Sequence, residues 1–314
     1  MSLATLFGSG RAKTPRNSID VSEAAGVRYL HFGSEWVQGA MRVARPFALE
    51  LEYTREMMLP LLFAPHDAWP ARVLVIGLGA GSITKFLHRY CPQSDITVVE
   101  IDPRMPAVAA MHFRLPAEDE RLRIVIGDGA KFVAETETEW DFILVDGYDH
   151  RARANALDTA AFHQHCRARL ATDGRVSLNM FGRTRGFRAS AQRLIDAHDG
   201  RALVLPSLDE GNAICVAGGT DAIDLSLDTL RERARQLRAQ AGRAPIDWVV
   251  LRNRLGAQQM HNKRKVGEAL TDLSKRIGFR TAAGFSERVI FRELFPRGLT
   301  LLDLKDMGVD ALNM

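Results

Sequence analysis

Short apolar runs bounded by turn residues recur through the first two-thirds of the chain, separated by stretches whose apolar positions follow a helical period. The runs Val73-Leu74-Val75-Ile76, Ile96-Thr97-Val98-Val99, Arg123-Ile124-Val125-Ile126 and Phe142-Ile143-Leu144-Val145 are rich in β-branched residues and nearly free of polar ones. That is the pattern of strands buried on both faces. Residues 83–90 and 106–113, lying between such runs, predict crossover helices. Later apolar runs at 176–178 and 213–217 predict strands that complete the sheet. Strands alternating with helices predict an α/β fold with a parallel, doubly wound sheet. Ahead of it, residues 19–51 predict short strands, clearest at Val27-Arg28-Tyr29-Leu30-His31-Phe32 between Gly26 and Gly33. Residues 49–63 predict one helix, with Leu51, Met58, Leu61 and Leu62 near one face and Pro65 and Pro70 marking its exit.

From about Leu237 the pattern changes. Residues 238–243 are polar and basic, and Asp247-Trp248-Val249-Val250-Leu251 predicts a strand. Asn262 can cap a helix carrying Val266, Leu270, Leu273 and Ile277 on one face, with Gly278 ending it. Charge changes in the same place. Residues 231–314 hold 17 Lys and Arg against 9 Asp and Glu, whereas residues 1–230 hold 25 against 29. A basic end attracts nucleic acid or an acidic protein surface, or is simply a solvated helix face. These shifts divide the chain into an N-terminal tail (1–18), a small β-rich domain (19–60), an α/β domain (61–236) and a basic α/β segment (237–314).

Composition excludes more than it assigns. A hydrophobic content of 46% is enough for a buried core. Cys91, Cys166 and Cys215 are scattered and form no CxxC, which argues against a disulfide framework or a zinc site and fits a reducing cytosol. The apolar stretch at 3–7 is too short for a signal-peptide core, and no run of about 18 apolar residues occurs. A cytoplasmic protein with no membrane contact and no metal is expected.

The candidate chemistry gathers just beyond the predicted strands. Gly77, Gly79 and Gly81 alternate after the first run, and Glu100 closes the next, 19 positions beyond Gly81. Glycines let a ligand approach the backbone, and a carboxylate at the second strand tip accepts hydrogen bonds from a ribose diol. A GxGxxG dinucleotide loop would need Gly or Ala where Ser82 stands. The GxGxG form suits an adenosyl-sulfonium, which has no pyrophosphate to cradle. Asp128 and Gly129 follow the third run, and Asp146-Gly147-Tyr148-Asp149 follows the fourth. Loop aspartates commonly cap helices or turns. Four acidic residues at successive strand tips nevertheless predict one crevice, because open α/β sheets bind ligands at that edge. Asp146 and Asp149, within one turn, can orient a primary amine and take its proton. An alkylammonium has a pKa near 10, so freeing its lone pair at neutral pH costs roughly 4 kcal/mol, and general-base help is typically worth about 10²–10⁴ in rate. Tyr148 can wall the pocket.

Tyr53-Thr54-Arg55-Glu56-Met57, the stretch 73–82, Val99-Glu100-Ile101-Asp102, Ile126-Gly127-Asp128-Gly129 and the stretch 141–149 occur in the order and spacing of the spermidine synthases. The chain resembles these polyamine aminopropyltransferases over about 19–235. The resemblance implies a small N-terminal β-domain followed by a Rossmann-like, methyltransferase-type domain. It also implies decarboxylated S-adenosylmethionine as cosubstrate, with nothing permanently bound, and a diamine such as putrescine as acceptor. By the same match Glu100 would hold the ribose and Asp128 the adenine. Asp146 would be the base, Asp149 would help hold the amine, and Gln38 and Tyr53 would line the site. The runs 247–255 and 286–304 resemble the C-terminal third of MipZ, a division-site-positioning ATPase of the ParA/MinD class. The GK[ST] of that family's P-loop occurs nowhere among these residues, so its ATPase activity is not carried over.

The chain departs from the spermidine synthases at three places. Ala80 stands where the family has an aspartate for the donor's ammonium, and losing that charged hydrogen bond costs about 1.5–3 kcal/mol. Thr54 stands where the family has Gln or His. Leu205-Pro206-Ser207-Leu208-Asp209 stands where a tyrosine-containing acceptor segment is expected. The expected activity is therefore a divergent aminopropyl transfer to an amine. One alternative is an S-adenosylmethionine-dependent methyltransferase, since Ala80 leaves room for a carboxylate. Another is a non-catalytic DNA- or partner-binding fusion or chimera acting through the basic, MipZ-like C-terminal segment. The expected partners are a small-molecule amine, a second copy of the chain in a homodimer, and weak DNA or protein contacts through residues 237–314.

Overall fold

The computed structural model describes residues 18–33, 36–63, 68–147, 155–182, 186–205 and 211–219, and beyond them 232–236, 249–251, 268, 270–274 and 280–282. The chain divides into two compact units, residues 1–230 and 231–314. Residues 19–60 thus share a unit with the large sheet that follows them.

The first unit opens with an antiparallel sheet of β1 (Ile19–Ala24), β2 (Val27–Phe32) and β3 (Val37–Arg42). The turn between β1 and β2 is Ala25-Gly26, with φ of 50° and 73°. Positive φ at both central residues matches the right-handed twist of the flanking strands. The predicted helix over 49–63 is broken in two. Helix α1 covers Glu52–Met57, and a 3-10 turn follows at Leu59–Phe63. Pro60 brings no N–H, and its ring would clash with the preceding turn of an α-helix.

The main sheet contains β4 (Arg72–Ile76), β5 (Asp95–Glu100), β6 (Leu122–Ile126), β7 (Trp140–Val145), β8 (Leu170–Phe181), β9 (Ala202–Val204) and β10 (Asn212–Gly218), in the order β6-β5-β4-β7-β8-β10-β9. The first five in that order are parallel, β10 runs antiparallel to β8, and β9 antiparallel to β10. Helices α2 (Ser82–Tyr90), α3 (Met105–Phe113), α4 (Gly129–Glu135), α5 (Ala160–Ala168) and α6 (Phe187–Ala197) complete the unit. β8 is far longer than the predicted 176–178. Its first half carries Thr172, Asp173 and Gly174, which interrupt the apolar run without ending the strand.

Side chains alternate between the two faces of this sheet, as strand geometry requires. Val73 and Val75 pack with Ile96, Val98, Phe142 and Leu144 under α2, α3 and the small sheet. Leu74 and Ile76 pack with Val99, Ile143 and Val145 against α5 and α6. Each fully buried aliphatic side chain is worth about 1.5–3 kcal/mol. One charged group enters the first layer. Lys85 of α2 is 1% exposed and its Nζ donates to the Phe113 carbonyl at 2.6 Å. Burial lowers its pKa to about 8.

β4 connects through α2 to β5 on one side, whereas β7 lies on its other side. The reversal leaves a crevice beyond the carboxyl ends of β4 and β7, the place where open α/β sheets receive ligands.

In the second unit, β11 (Val249–Leu251) pairs in parallel with β12 (Arg280–Ala282), and residues 270–274 are helical. The predicted cap Asn262 and the helix positions Val266 and Ile277 lie outside the described residues. Among the described residues no helix is long and apolar enough to cross a membrane.

Candidate active site

The strand order lays the predicted carboxylates along one edge. β6 leads to Asp128, β5 ends at Glu100, β4 leads to Gly77 and β7 leads to Asp146. These four residues line a single cavity of about 450 Å³ together with Gln38, Tyr53, Gly79 and Gly129. Gly81 does not line it. It begins α2 at φ +65°, and a Cβ there would lie 2.9 Å from Leu115, so it shapes the loop from behind. Tyr148 and Asp149 lie outside the described residues.

Gly77 has φ +95°, and a Cβ on it would lie 2.3 Å from the Asp146 carbonyl oxygen. Its N–H donates to Val99 at 2.8 Å, while the Asp146 N–H donates to Ile76 at 2.9 Å. Only glycine fits where three strand ends converge this closely. Glu100 is 6% exposed. Its Oε2 accepts the Leu78 N–H at 2.7 Å and its Oε1 the Asp102 N–H at 2.8 Å. Each carboxylate oxygen has a second lone-pair site for a ligand. The Oδ1 of Asp128 accepts the Ala130 and Lys131 N–H groups at 2.8 and 3.2 Å. That is the capping role loop aspartates commonly fill, and it uses one oxygen of two.

Asp146 sits at the centre of a polar relay. The Tyr53 hydroxyl, on α1, donates to its Oδ2 at 3.0 Å. The Asn179 amide, on β8, donates to its Oδ1 at 2.8 Å, and Asn212, on β10, donates to the Asn179 Oδ1 at 2.9 Å. Burial pushes the Asp146 carboxyl above the usual carboxylate range, and the hydrogen bonds from Asn179 and Tyr53 offset only part of that. Neither asparagine was among the predicted site residues. The signal was available as a lone amide inside an apolar strand, but the predicted strand stopped at Leu178. Beyond Asn179, the rings of Phe181 and Trp36 meet edge to face with centroids 6.3 Å apart. Both line the same cavity, with Phe32 and Leu51.

The arrangement therefore runs from two acidic strand tips, across a glycine loop, to a buried carboxylate backed by amides and an aromatic wall. The sequence matches the family of the spermine/spermidine synthase domain over residues 51–180. A polyamine aminopropyltransferase from Neisseria meningitidis serogroup B is 35% identical over 226 residues, covering 72% of this chain and 85% of that protein. The chain belongs to the polyamine aminopropyltransferase family. It is a transferase.

The solved structures agree on the fold. A probable spermidine synthase from Corynebacterium glutamicum superposes with a TM-score of 0.59 at 20% identity, covering 80% of this chain and 100% of that one. Human methyltransferase-like protein 13 in complex with SAH superposes with a TM-score of 0.53 at 25% identity, covering 63% of this chain and 95% of that one. Residues 226–314 match a different family, ATPase MipZ.

Proposed function

We propose that this chain transfers an aminopropyl group from decarboxylated S-adenosylmethionine to an amine, with Asp146 as the general base. The observation that carries the reading is the convergence of Tyr53 and Asn179 on a buried carboxylate one strand away from the Gly77 loop. The nucleoside lies over the tips of β5 and β6, where Glu100 accepts from the ribose diol and the second oxygen of Asp128 faces the adenine. The sulfonium then lies by the glycine loop, and the amine approaches from the side of β8 and β10.

In the reaction the amine lone pair attacks the aminopropyl carbon. The C–N bond forms as the C–S bond breaks, and sulfur keeps the electron pair as the neutral thioether 5′-methylthioadenosine. Positive charge moves from sulfur to nitrogen, and Asp146 takes the proton. Its carboxylate stabilises that cation in a low-dielectric site, where such an interaction is far stronger than in water. Tyr53 and Asn179 hold the carboxylate in one orientation, which removes the need to order it during the reaction.

A second reading has its own support. Residues of this chain are 49% identical over a 77-residue stretch, 24% of this chain and 11% of that protein, to the eEF1A lysine and N-terminal methyltransferase homolog of Drosophila pseudoobscura pseudoobscura, and Ala80 gives the glycine loop no charge. S-adenosylmethionine would then donate a methyl group from the same cleft. Incubation with each donor and a panel of amines, followed by mass analysis, separates the two. Amine-dependent release of 5′-methylthioadenosine with aminopropylated product supports the first reading. A methylated product supports the second, and no product with either donor overturns both.

For residues 237–314 we propose a separate basic segment without ATP hydrolysis, since a triphosphate would lack both its backbone cradle and its lysine.

A further inference from the structure

The glycine loop is hydrogen-bonded to the small N-terminal sheet at one point and lies close against it at two more. The Ser82 hydroxyl donates to the Ala40 carbonyl of β3 at 3.1 Å. A Cβ on Gly79 would lie 3.6 Å from the Gln38 carbonyl oxygen, in ordinary contact. A Cβ on Gly39 would lie only 2.6 Å from the Ala80 Cβ, closer than real Cβ atoms come. Gly39 does not have the positive φ that makes glycine necessary elsewhere. Its backbone would accept any residue, so the contact with Ala80 alone demands glycine there. Ala80 is 3% exposed, and β3 closes one side of its methyl group.

Gln38, Gly39, Gly79, Ala80 and Ser82 all line the cleft. β4 stands between β5, which carries Glu100, and β7, which leads to Asp146. The loop after β4 therefore faces whatever joins the nucleoside to the reacting carbon, and every side chain it presents is uncharged. We infer that Gly39 and Ala80 are a matched small-residue pair that fixes how far the glycine loop stands from β3, so that Gly39 sets the room left for the sulfonium's tail. This rests on the nucleoside placement proposed above. The charge that the tail meets comes from the carboxylates of Glu100 and Asp146, which line the same cleft, and not from the loop.

The inference is tested by calorimetry on the full chain with 5′-methylthioadenosine, decarboxylated S-adenosylmethionine and S-adenosylmethionine. The wild type should bind 5′-methylthioadenosine, and the affinity of each tailed donor relative to it is the reference for two variants. If 5′-methylthioadenosine fails to bind, the nucleoside placement itself is wrong. If it binds but that ratio is unchanged in Gly39→Ala, the placement stands and the inference is overturned. The ratio is a readout that a purely structural role would not move. Gly39→Ala should weaken the tailed donors relative to 5′-methylthioadenosine, because the added methyl drives Ala80 and its loop into the space of the tail. The double variant Gly39→Ala/Ala80→Gly removes the opposing methyl, leaving the backbone nitrogen of residue 80 at 3.2 Å as the nearest atom, and should restore most of that ratio, and the fold if the single variant has lost it. A double variant no better than Gly39→Ala overturns the pairing.

Discussion

The α-carbon of Gly77 lies against the backbone carbonyl of Asp146, so close that a methyl group on Gly77 would come within 2.3 Å of that oxygen. The turn that opens the ligand loop and the residue that carries the carboxylate are thus one packed unit. Gly77→Ala should be destabilising twice over. It places a side chain at φ +95°, and it forces β4 and β7 apart at the centre of the sheet. A loss of about 2 kcal/mol or more in urea unfolding is expected. A variant as stable as the wild type would mean the strand ends separate freely.

Asp146 can accept a proton only when ionised, and its pKa stands above the ordinary carboxylate value because burial outweighs its two hydrogen bonds. Turnover should therefore fall on the acid side at a higher pH than an unperturbed aspartate would give. Asn179→Ala removes a hydrogen bond that favours the charged form, so it should move that limb further up in pH. Asp146→Asn keeps the shape and loses the base. It should lower turnover by roughly 10² or more while leaving donor affinity within a few-fold. An unchanged turnover in Asp146→Asn removes this residue from the mechanism.

The carboxylate tips were legible because buried parallel strands announce themselves as apolar runs, and the residue closing each run lies at the ligand edge. Glu100, Asp128 and Asp146 follow from that rule alone. Their partners do not. Tyr53 and Asp146 are 93 residues apart, and no local period reports a hydrogen bond between them. Asn179 and Asn212 stand one position outside the predicted strands 176–178 and 213–217, because a polar residue ends an apolar run, although both are buried within β8 and β10. The break at Pro60 was written in the sequence, but the spacing of Leu51, Met58, Leu61 and Leu62 suits a continuous helix equally well. The contact of Gly39 with Ala80 depends on how β3 meets the glycine loop, a tertiary relation that neither segment encodes alone.

Glu100→Gln should weaken the nucleoside by about 1–3 kcal/mol, because a charged acceptor for two ribose hydroxyls becomes a neutral one. The change also disturbs the Leu78 and Asp102 N–H groups that the carboxylate holds. Binding of adenosine, which bears the ribose but no tail, isolates the ribose contact from the rest of the donor. Equal adenosine affinity in both proteins would place the ribose elsewhere.

Lys85 ties stability to alkaline pH. Its folded pKa is about 8 against 10.5 unperturbed, so between those values the unfolded chain binds more protons and stability rises with pH. The contribution is complete above 10.5 and lost as pH falls through about 8. Relative to Lys85→Met, which cannot titrate, the wild type should gain up to about 3 kcal/mol over that window. Unfolding free energies of the two proteins at pH 7.5 and 10.5 provide the check. A constant difference would show that the ammonium is not buried as the Phe113 contact requires.

The basic segment should be separable from the transferase. Gly77, Glu100, Asp128 and Asp146 and all their hydrogen-bond partners lie before residue 218, and the seven-stranded sheet closes with β10 at Gly218. A chain ending near Gln236 should therefore fold and bind the donor with unchanged affinity. Residues 231–314, with 17 Lys and Arg against 9 Asp and Glu, would then account for any nucleic-acid binding by the full chain. That binding should weaken steeply with salt, as counterion release from phosphates requires, and vanish on truncation. ATP should not bind to the full chain through this segment, because the P-loop signature is missing from its sequence. A truncated protein that melts without a cooperative transition, or no longer binds the donor, would show that the two parts form one folding unit and that the boundary near 236 is misplaced.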